Sequence, residues 1–530
     1  MHFDDAPRWM KAPILAAVLL AVSAGLFHET AHALLYCAPE GTTKDNCVIE
    51  HDGTLYLFTM YRRERQRADI IDQWRHVWCA ISTDGVHWKH VGPVIENAPF
   101  PIWAMKVWKA GDRFVMDHGS FTDGKQDVLK FWESPDLIHW TYLGPEYDVR
   151  RPDGGRIDHM SVISQEENGK TTYYGYAVGG ILRSDDGAKW TWVMDYPFTD
   201  DLNVRVVQEP GGIERIGNYY YLLVGGFFPG SFGYAVATYI SENPMGPFRP
   251  DYPAWRLNGC SGRTVVGIWA GFCRTPDEVL MTNYIIDPGG TFWWHAPLKR
   301  AVVDEDNHLR MGYWKGNDAL KGARLPLDLS RCAKAGGDWK GSVTPSDDQL
   351  VVNAPLRPHR WWLTSGEPNL GLAISHESFD VDKGLVLEGA MKIVPGNSIT
   401  FPAIGLCFEE EGQKGTAVLF GAWEQTDIGT LDWSEQLRFT SQDRTGFGCA
   451  TVAGIPHNRA YPFRLLLRGN IFECYLNDLL VQTYLTENPT GRIGFMAQDG
   501  QGVFENVRAW EMDLEDAHAR AVSPPAEVIR

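Results

Sequence analysis

A seven-residue signature, Ser-x-Asp-x-x-x-Trp, occurs three times in the first half of this 530-residue chain. The copies lie at residues 82–88, 134–140 and 184–190, and a weaker fourth copy at 241–248 has Phe in place of Trp. The copies start about 50 residues apart, which fits one four-stranded blade of a β-propeller. In each copy, a turn-forming Ser/Asp cluster precedes an aromatic side chain that can pack between neighbouring sheets. The repeat therefore predicts a propeller, whose inner strands converge on a central funnel.

The sequence around this repeat has the pattern of short β-strands throughout. Between residues 35 and 325, runs of β-branched and aromatic residues alternate with turns rich in Gly, Asp, Asn and Pro, and no amphipathic helix interrupts them. We expect strands at 54–61, 77–82, 113–118, 171–178, 219–225, 234–240 and 279–285. The period divides the region into five blades, at 35–92, 98–145, 155–196, 204–250 and 258–312, and a six-bladed propeller remains an alternative.

The rest of the chain predicts a second all-β region. Residues 314–349 are rich in Gly, Lys and Asp, and strand-like segments joined by short turns follow up to residue 512. We therefore expect an all-β protein in which a five-bladed β-propeller is followed by a concanavalin-like β-sandwich. The predicted boundaries are a signal peptide at 1–33, the propeller at 34–325, a linker at 326–349, the sandwich at 350–515 and a tail at 516–530.

The N-terminus has the features of a secretory signal. An apolar run at 12–27 follows Arg8 and Lys11, and Ala31-His32-Ala33 provides a small-residue cleavage site. We expect a secreted or periplasmic protein with no membrane insertion after signal cleavage. Acidic residues ahead of the apolar run are unusual in a signal peptide, so an uncleaved membrane anchor remains an alternative.

Composition limits the classes of partner. The formal net charge of −18 disfavours nucleic acid, anionic membrane surfaces and strongly polyanionic substrates. The 21 tryptophans and 20 tyrosines fit a protein that stacks sugar rings, although large β-sheet cores also use aromatic residues. The nine cysteines show no CxxC pair and no zinc-type spacing. We therefore predict no metal and no cofactor, and the oligomeric state stays open.

Three acidic residues stand at the starts of blades. Asp45, Asp158 and Glu209 each precede a short strand, a turn with Gly and an aromatic strand. Since the innermost strands of a propeller line its axis, we expect these carboxylates at equivalent positions that converge on the funnel. A single Asp in this context is more often a turn residue, but three acids at matching positions favour a functional site.

Three converging carboxylates suit the cleavage of a glycosidic bond. One must be a protonated acid near neutral pH, to give its proton to the departing oxygen. A second must be ionised, to attack the anomeric carbon or to activate a water molecule. The third orients the sugar and tunes the pKa values of the other two. The acids are far apart in sequence and lack an EF-hand-like loop, which argues against a calcium site.

Several elements of the chain resemble the five-bladed propeller glycoside hydrolases of families 32 and 43. They are Asp45, Arg-Ile-Asp at 156–158, Glu-Pro-Gly at 209–211, Ser-Pro-Asp-Leu-Ile-His-Trp at 134–140 and Gly-Tyr-Ala-Val-Ala at 233–237. A propeller followed by a β-sandwich is similar to family 32. The resemblance covers residues 35–325 by motif, and residues 350–512 only by architecture.

The resemblance implies a role for each acid. Asp45 would be the nucleophile or general base, Asp158 the transition-state stabiliser and Glu209 the general acid. The chain also departs from the family 32 pattern. It has Lys-Asp-Asn-Cys at 44–47 in place of an Asn-Asp-Pro-Asn type element, Arg-Ile-Asp in place of Arg-Asp-Pro, and Glu-Pro-Gly in place of Glu-Cys-Pro. These departures leave the identity of the sugar and the stereochemical course open.

Other side chains are candidates for contact with the sugar. They are Trp103, His118, Arg156, His159 and Trp269. Arg156 and His159 flank Asp158, and either can hydrogen-bond a hydroxyl group. Trp103 and Trp269 can stack on a sugar ring, but packing between blades explains them equally well.

The favoured function is an exported glycoside hydrolase that takes an oligo- or polysaccharide substrate. A funnel closed at one end favours removal of terminal sugars, and the family resemblance suggests furanosides such as fructosides or arabinosides. Three alternatives remain. A sialidase would need an arginine cluster such as Arg156, Arg205 and Arg263, together with a nucleophilic tyrosine. A phosphorylase would need a basic phosphate site, and a carbohydrate-binding protein would have lost the chemistry.

Overall fold

The structure is a computed structural model of the chain. It describes residues 36, 38–39, 41–63, 73–167, 169–198, 209–227, 234–259, 267–286, 293–337, 339–356, 369–396, 401–421, 425–445, 449–450 and 455–514. The expected signal peptide and tail lie outside these residues. Within them, no helix is long and apolar enough to cross a membrane. The helices described are short 3₁₀ turns, at Tyr252–Ala254, Lys315–Leu320 and Leu329–Arg331.

Five antiparallel sheets succeed one another along the first part of the chain. The first two comprise β1 (Thr42–His51), β2 (Thr54–Arg62), β3 (His76–Ser82) and β4 (Lys89–Ile95), then β5 (Trp103–Ala110), β6 (Arg113–Thr122), β7 (Lys125–Ser134) and β8 (Thr141–Tyr142). The next two comprise β9 (Met160–Glu167), β10 (Lys170–Ala177), β11 (Gly180–Ser184) and β12 (Thr191–Asp195), then β13 (Glu209–Ile216), β14 (Tyr219–Phe227), β15 (Tyr234–Ser241), β16 (Arg249–Pro250) and β17 (Arg256–Gly259). The fifth comprises β18 (Gly267–Arg274), β19 (Val279–Ile286), β20 (Trp293–His295), β21 (Lys299–Val303) and β22 (Leu309–Tyr313).

The first strands of these sheets form a closed ring. Strand β1 contacts β5, β5 contacts β9, β9 contacts β13, β13 contacts β18, and β18 returns to β1. Each first strand is therefore the innermost strand of its blade, as expected for a propeller. The fold is the predicted one, and each sheet corresponds to one predicted blade, although β4, β17 and β22 extend beyond the predicted blade ends.

The repeated signature forms the same turn in each copy. Asp84 Oδ1 accepts hydrogen bonds from the backbone N–H groups of Val86 and His87, at 2.9 and 2.8 Å. Asp136 and Asp186 accept the corresponding pairs at nearly identical distances. The carboxylate thus satisfies backbone donors that the turn would otherwise leave unpaired. The signature is therefore a turn that the side chain of Asp stabilises.

The aromatic residue of each signature packs between blades. Trp88 lies in the apolar cluster that joins blades one, four and five with the sandwich, and Trp190 lies in the cluster between blades two and three. Trp140 packs against the cluster between blades one and two, and Phe248 lies between blades three and four. These side chains are part of the scaffold, and this fits their expected role.

The remaining strands form two layers that pack face to face as a β-sandwich. One contains β25 (Ser342–Pro345), β26 (Gln349–Asn353), β28 (Leu385–Pro395), β33 (Tyr461–Arg468), β34 (Ile471–Leu476), β35 (Leu479–Leu485) and β37 (Gly500–Met512), with β23 (Lys321–Leu325) at its edge. The other contains β24 (Ala333–Lys334), β27 (Leu370–Ile374), β29 (Ala403–Glu410), β30 (Lys414–Gly421), β31 (Thr426–Asp432), β32 (Arg438–Thr445) and β36 (Pro489–Gln498). Their inner faces share one apolar cluster.

The sandwich begins earlier in the chain than the sequence suggested. Strands β24 and β25 lie within residues 326–349, the expected linker, and each pairs with a strand of the sandwich. Strand β23 lies within the expected propeller range but pairs with β37. Short polar strands at a sheet edge have little apolar signal, so their composition resembles that of a connector.

Blade five and the sandwich share a sheet. Gly312 of β22 pairs with Leu479 of β35, and the N–H of Tyr313 donates to the carbonyl of Asp478 at 2.7 Å. Near this seam, Lys299 Nζ contacts Glu473 Oε1 at 2.5 Å, and both side chains are fully buried. The propeller and sandwich are therefore joined by backbone pairing and by a buried ion pair.

Candidate active site

A β-bulge sets the position of Asp45. The pairing of β1 with β2 shifts between Lys44 and Asn46, and Asp45 is the extra residue, with a φ of 49°. Asp tolerates this left-handed conformation better than most residues, and a bulge redirects the side chain from the regular alternation. Bulges with a similar φ occur at Ala104 in β5 and at Trp269 in β18. The bulge is thus a feature of several innermost strands.

Asp158 and Glu209 also lie at the starts of innermost strands. Asp158 is two residues before β9, and Glu209 is the first residue of β13. Glu209 pairs with Gly225 of the next strand, and Lys44 pairs with Met60 of its own next strand. Gly225 and Met60 are the same number of residues from the residue that pairs with the serine of the signature in that blade. Glu209 is therefore equivalent in register to Lys44, whereas Asp45 is the inserted residue. Glu209 and Asp45 are thus equivalent in register to within one residue, while Asp158 precedes the paired part of β9.

Arg156 connects two of the three acids. Its Nη2 donates to Asp158 Oδ2 at 2.6 Å and to Glu209 Oε1 at 2.7 Å. The guanidinium is about one-third exposed, while Asp158 is buried. One cationic group thus bridges blades three and four, and it offsets part of the charge that two adjacent carboxylates place in the funnel.

The surroundings of Asp158 favour its ionised form. Burial raises its pKa, but His159 and the positive charge of Arg156 outweigh burial and hold the pKa below the usual value. The backbone N–H of His159 also donates to Asp158 Oδ1 at 3.1 Å. Asp158 therefore behaves as a fixed anion that accepts hydrogen bonds from both sides.

The surroundings of Asp45, unlike those of Asp158, favour the protonated form. Burial raises its pKa, and the negative charges of Asp158 and Glu209 act in the same direction. The charge of Lys44 and a hydrogen bond from Tyr284, at 2.7 Å to Asp45 Oδ1, lower the pKa and oppose this rise. The two neighbouring carboxylates thus add to the effect of burial on the pKa of Asp45.

Two tyrosines complete the cluster, and neither was among the candidates from the sequence. Tyr284 donates to Asp45, and Tyr234 donates to Glu209 Oε2 at 2.9 Å. Burial, together with the neighbouring carboxylates, raises the pKa of both hydroxyl groups, so each remains a donor. Tyr234 belongs to the Gly-Tyr-Ala-Val-Ala segment that carried the family resemblance, which was the available signal. Tyr284 has no comparable signal, because only the fold brings β19 beside β1.

Trp103 lies at the funnel with a cation over its ring. Lys44 Nζ is 3.8 Å from the centre of the indole, and both side chains are half-buried. A small cavity opens beside Lys44. Its walls include Lys44, Asp45 and Tyr284.

His159 is buried beside Asp158, and Trp269 packs against its ring. Their rings are 4.4 Å apart, and their side chains are at most 4% exposed. His159 Nε2 donates to the carbonyl of Pro210 at 2.6 Å, which ties blade three to blade four. Both residues support the cluster from behind, and neither presents a free surface on which a sugar could stack.

The structure does not bring His118 to this cluster. Its side chain is fully buried on β6, where Nδ1 donates to the carbonyl of Gly119 and Nε2 accepts from Trp132 Nε1. Burial lowers its pKa to about 4. With both ring nitrogens engaged in the blade core, His118 has no group left for a substrate.

The geometry also bears on the other chemistries considered. Within the described ranges, no group of three or more His, Cys, Asp or Glu side chains is arranged to hold a metal ion. For a sialidase, Arg156 is engaged by two carboxylates, and Arg205 and Arg263 lie outside the described residues. Of the three arginines considered for a sialidase, the described residues thus include only Arg156.

Comparison of the sequence with known proteins gives partial matches. No family model matches the chain. The chain is 25% identical over 254 residues to a sucrose-6-phosphate hydrolase of Vibrio alginolyticus, which covers 46% of this chain and 47% of that protein. It is 31% identical over 106 residues to the sucrose-6-phosphate hydrolase of Zymomonas mobilis, which covers 18% of this chain and 20% of that protein. The chain thus matches less than half the length of these curated relatives.

Solved structures match over most of the chain. A GH32 β-fructofuranosidase of Bombyx mori superposes with a TM-score of 0.59 at 12% identity, covering 91% of this chain and 93% of that structure. A sucrose-6-phosphate hydrolase of Lactobacillus gasseri superposes with a TM-score of 0.58 at 13% identity, covering 89% and 91%. At this level of identity the matches show the fold, and the chain shares the propeller-and-sandwich architecture of these glycoside hydrolases.

Proposed function

We propose that this protein is a glycoside hydrolase that removes a terminal fructosyl group from a sucrose-type oligosaccharide. The observation that carries the proposal is the Arg156 bridge between Asp158 and Glu209, with Asp45 beside them at the same end of the innermost strands. Three carboxylates in one funnel suit acid-assisted cleavage of a glycosidic bond. The partial likeness to the curated sucrose-6-phosphate hydrolases supports a fructoside as the substrate.

Each acid has a role in the proposed reaction. Asp45, in its ionised form, attacks the anomeric carbon or takes a proton from the attacking water. Glu209, in its protonated form, gives its proton to the departing oxygen, so that the aglycone leaves as a neutral alcohol. Asp158 remains ionised throughout and stabilises the positive charge that develops on the sugar ring.

Arg156 constrains how Glu209 can act. In the structure, Glu209 accepts hydrogen bonds from both Arg156 and Tyr234. Protonation of Glu209 removes its attraction for Arg156, which keeps its contact with Asp158. The aglycone oxygen can then occupy the space beside the Glu209 proton. In the proposed reaction, the substrate therefore enters between Glu209 and the guanidinium of Arg156.

The choice of substrate among fructosides rests on charge. The net charge of −18 disfavours a phosphorylated sugar, and a neutral fructoside such as sucrose meets less repulsion. We therefore propose sucrose-type substrates without phosphate. Sucrose 6-phosphate, an arabinofuranoside and a sialoside are the competing substrates to compare.

The test is a substrate panel followed by two variants. The wild-type protein should hydrolyse sucrose and an aryl β-fructofuranoside faster than the competing substrates. Asp45→Asn should reduce kcat on both fructosides by at least about 10³-fold, because attack or base catalysis is needed whatever group departs. Glu209→Gln should reduce kcat strongly on sucrose but much less on the aryl substrate, since a good leaving group does not need a proton.

Matched controls separate chemistry from folding. Asp52→Asn changes an exposed acid at the other end of β1, and Glu133→Gln changes a partly exposed acid of β7 that is paired with Arg113. Both variants should retain activity within about twofold. Turnover of no glycoside by the wild-type protein, or full activity in Asp45→Asn, would rule out the assignment.

We also propose that the protein is exported. The support is the apolar run with its small-residue cleavage site at the N-terminus. N-terminal sequencing of the protein purified from its native host should find a chain that begins at residue 34. A chain that still begins at Met1 in the cytoplasm would contradict export, and one that begins at Met1 in the membrane would support an anchor.

A further inference from the structure

Lys44 occupies a defined position beside Asp45. It is the residue before the bulge of β1, where its backbone carbonyl accepts a hydrogen bond from Thr59 Oγ1 at 3.2 Å. Its ammonium group lies 3.8 Å from the ring centre of Trp103, on the neighbouring blade. A cation over an indole at this distance is attracted by the negative face of the ring. Trp103 therefore holds the lysine at the wall of the cavity that also contains Asp45.

The other charged and titratable groups around Asp45 do little to balance its negative charge. From blades three and four, Asp158 and Glu209 add negative charge. Arg156 donates to these two carboxylates. From blade five, Tyr284 donates a neutral hydrogen bond to Asp45. From blade four, Tyr234 donates to Glu209.

One other cation lies near Asp45, from blade two. Lys106 is buried on β5, and it also faces Asp117 and Cys47. Burial lowers the pKa of Lys106, while Cys47, Asp117 and Asp45 raise it, so its charge is shared among several groups. Among the influences on Asp45, Lys44 is the cation whose charge opposes burial most strongly.

We infer that Lys44, held in place by Trp103, is a positioning residue that keeps Asp45 ionised and ready to react. This inference rests on the proposed function, because it concerns the acid that the proposal assigns to attack or base catalysis. Lys44 acts through Asp45 and need not touch the substrate. A buried carboxylate beside two other acids would otherwise hold its proton, and the positive charge of Lys44 opposes this.

The expected pH dependence of activity follows from the direction in which Lys44 shifts the pKa of Asp45. Burial raises the pKa of Asp45, and the charge of Lys44 opposes that rise. Removal of the charge therefore raises the pKa further, and a larger fraction of Asp45 is protonated and inactive at acidic pH. At alkaline pH, Asp45 is ionised with or without Lys44. The loss of activity should accordingly be confined to the acidic limb of the profile.

The experiment compares pH profiles of kcat and kcat/KM on sucrose for three variants. Lys44→Gln should lower kcat/KM by about tenfold on the acidic limb and by less than about twofold on the alkaline side. Lys44→Arg should restore most of the wild-type profile, because the guanidinium keeps both the charge and the contact with the indole. Lys109→Gln is the matched control, since Lys109 lies over Phe114 at 6.0 Å but is exposed.

Two outcomes would overturn the inference while leaving the proposed hydrolase intact. One is a Lys44→Gln profile that keeps the wild-type acidic limb. The other is a rise in KM that is the same at every pH, with kcat unchanged, which would make Lys44 a substrate contact. A shifted limb that Lys44→Arg corrects supports the inference.

A second measurement does not depend on activity. A double-mutant cycle of Lys44→Gln and Asp45→Asn, followed by urea denaturation at pH 7, measures the coupling between the two side chains. Favourable coupling that weakens as the pH falls supports the inference, even if the wild-type protein hydrolyses no fructoside and the proposed function fails. Additive effects on the free energy of unfolding at every pH would overturn it.

Discussion

The hydroxyl of Tyr284 donates a hydrogen bond to Asp45 Oδ1 at 2.7 Å, across 239 positions of sequence. Tyr284 lies on β19 of blade five, and Asp45 lies in the bulge of β1 in blade one. The contact therefore spans the junction at which the ring of blades closes. It ties the acid that we assign to attack or base catalysis to the closure of the fold itself.

Removal of this hydroxyl should weaken the proposed reaction without unfolding the protein. Tyr284→Phe deletes one donor to a buried carboxylate, and hydrogen bonds to charged groups contribute about 1.5–3 kcal/mol. We expect kcat/KM on sucrose to fall by roughly 10- to 100-fold. Because the hydrogen bond lowers the pKa of Asp45, the acidic limb should also move to higher pH. The pH profile of kcat/KM measures both effects.

Tyr234→Phe is the matched comparison for that variant. It deletes a similar buried hydroxyl, but the acceptor is Glu209. If the roles of the two acids are as proposed, this change should leave the acidic limb in place. Identical profiles for the two tyrosine variants would argue against separate roles for Asp45 and Glu209.

The bridging geometry of Arg156 should not tolerate substitution by lysine. Its single Nη2 contacts Asp158 and Glu209 together, and a lysine ammonium lacks the planar fork that fixes such a geometry. We expect Arg156→Lys to lower kcat/KM by about 10²-fold and Arg156→Met by more. Arg150→Lys, which alters an exposed ion pair with Asp127, is the control and should stay within about twofold. Full activity of Arg156→Lys would show that the bridge is dispensable.

Much of the fold could be predicted because the regular spacing of the repeat gives the length of each blade. The signature turns recur with the same hydrogen bonds at Asp84, Asp136 and Asp186, so each copy marks one outer hairpin of a blade. The expected strands at 219–225 and 279–285 match β14 and β19 to within two residues. The sandwich boundary was harder, because the edge strands of that domain bury little apolar surface.

The sequence predicted the three acids of the candidate site but not their hydrogen-bond and cation partners, and this difference has a physical reason. Asp45, Asp158 and Glu209 lie in sequence contexts that the blade period makes comparable, so sequence alone could pair them. The partners of these acids come from other blades. The contact of Tyr284 with Asp45 depends on ring closure, and that of Lys44 with Trp103 depends on the packing of adjacent blades. Sequence spacing carries no information on either.

The buried ion pair between blade five and the sandwich should be sensitive to loss of one partner. Lys299 and Glu473 are fully buried, and Lys299 Nζ also donates to Asn283 Oδ1 at 2.9 Å. Lys299→Met leaves Glu473 as an uncompensated buried charge, which should cost about 3–5 kcal/mol of stability. The double variant Lys299→Met/Glu473→Leu should recover much of that loss. Urea denaturation measures both, and a double variant as unstable as the single one would contradict the prediction.

The Asp of the signature should act as a turn stabiliser with a characteristic pH dependence. Asp84 is partly buried, which raises its pKa, but hydrogen bonds from His87, Val86 and Ser82 outweigh burial and lower the pKa to about 2. Its contribution to stability is thus complete above the unfolded pKa near 4 and is lost as the pH falls toward about 2.

Asp84→Ala tests this contribution. Loss of a side chain that caps backbone donors costs about 1 kcal/mol, so we expect that decrease in the free energy of unfolding at pH 7. The difference between variant and wild type should shrink below pH 4. Asp136→Ala removes the same turn contacts in blade two and should behave in the same way. An effect that is constant between pH 2 and pH 7 would mean that the carboxylate charge is not involved.

Asp45 itself should destabilise the folded protein at neutral pH. Burial, together with Asp158 and Glu209, raises its pKa above the ordinary value of 3.8. Between the unfolded and folded pKa values, the folded protein binds a proton that the unfolded chain has lost, so stability falls as the pH rises through this window. Asp45→Asn cannot ionise, yet its amide oxygen can still accept from Tyr284. The variant should therefore gain stability relative to wild type as the pH rises from 4 to 8.

Thermal and urea unfolding across this pH range measure the gain, with Asp52→Asn as the control. Asp52 is almost fully exposed, so its substitution should leave the difference from wild type nearly constant with pH. A lower melting temperature for Asp45→Asn at pH 8 than at pH 4, relative to wild type, would contradict the expected sign. A gain in stability together with a loss of hydrolysis would mean that Asp45 supports the reaction at a cost in folding stability, which is the usual trade-off at an active site.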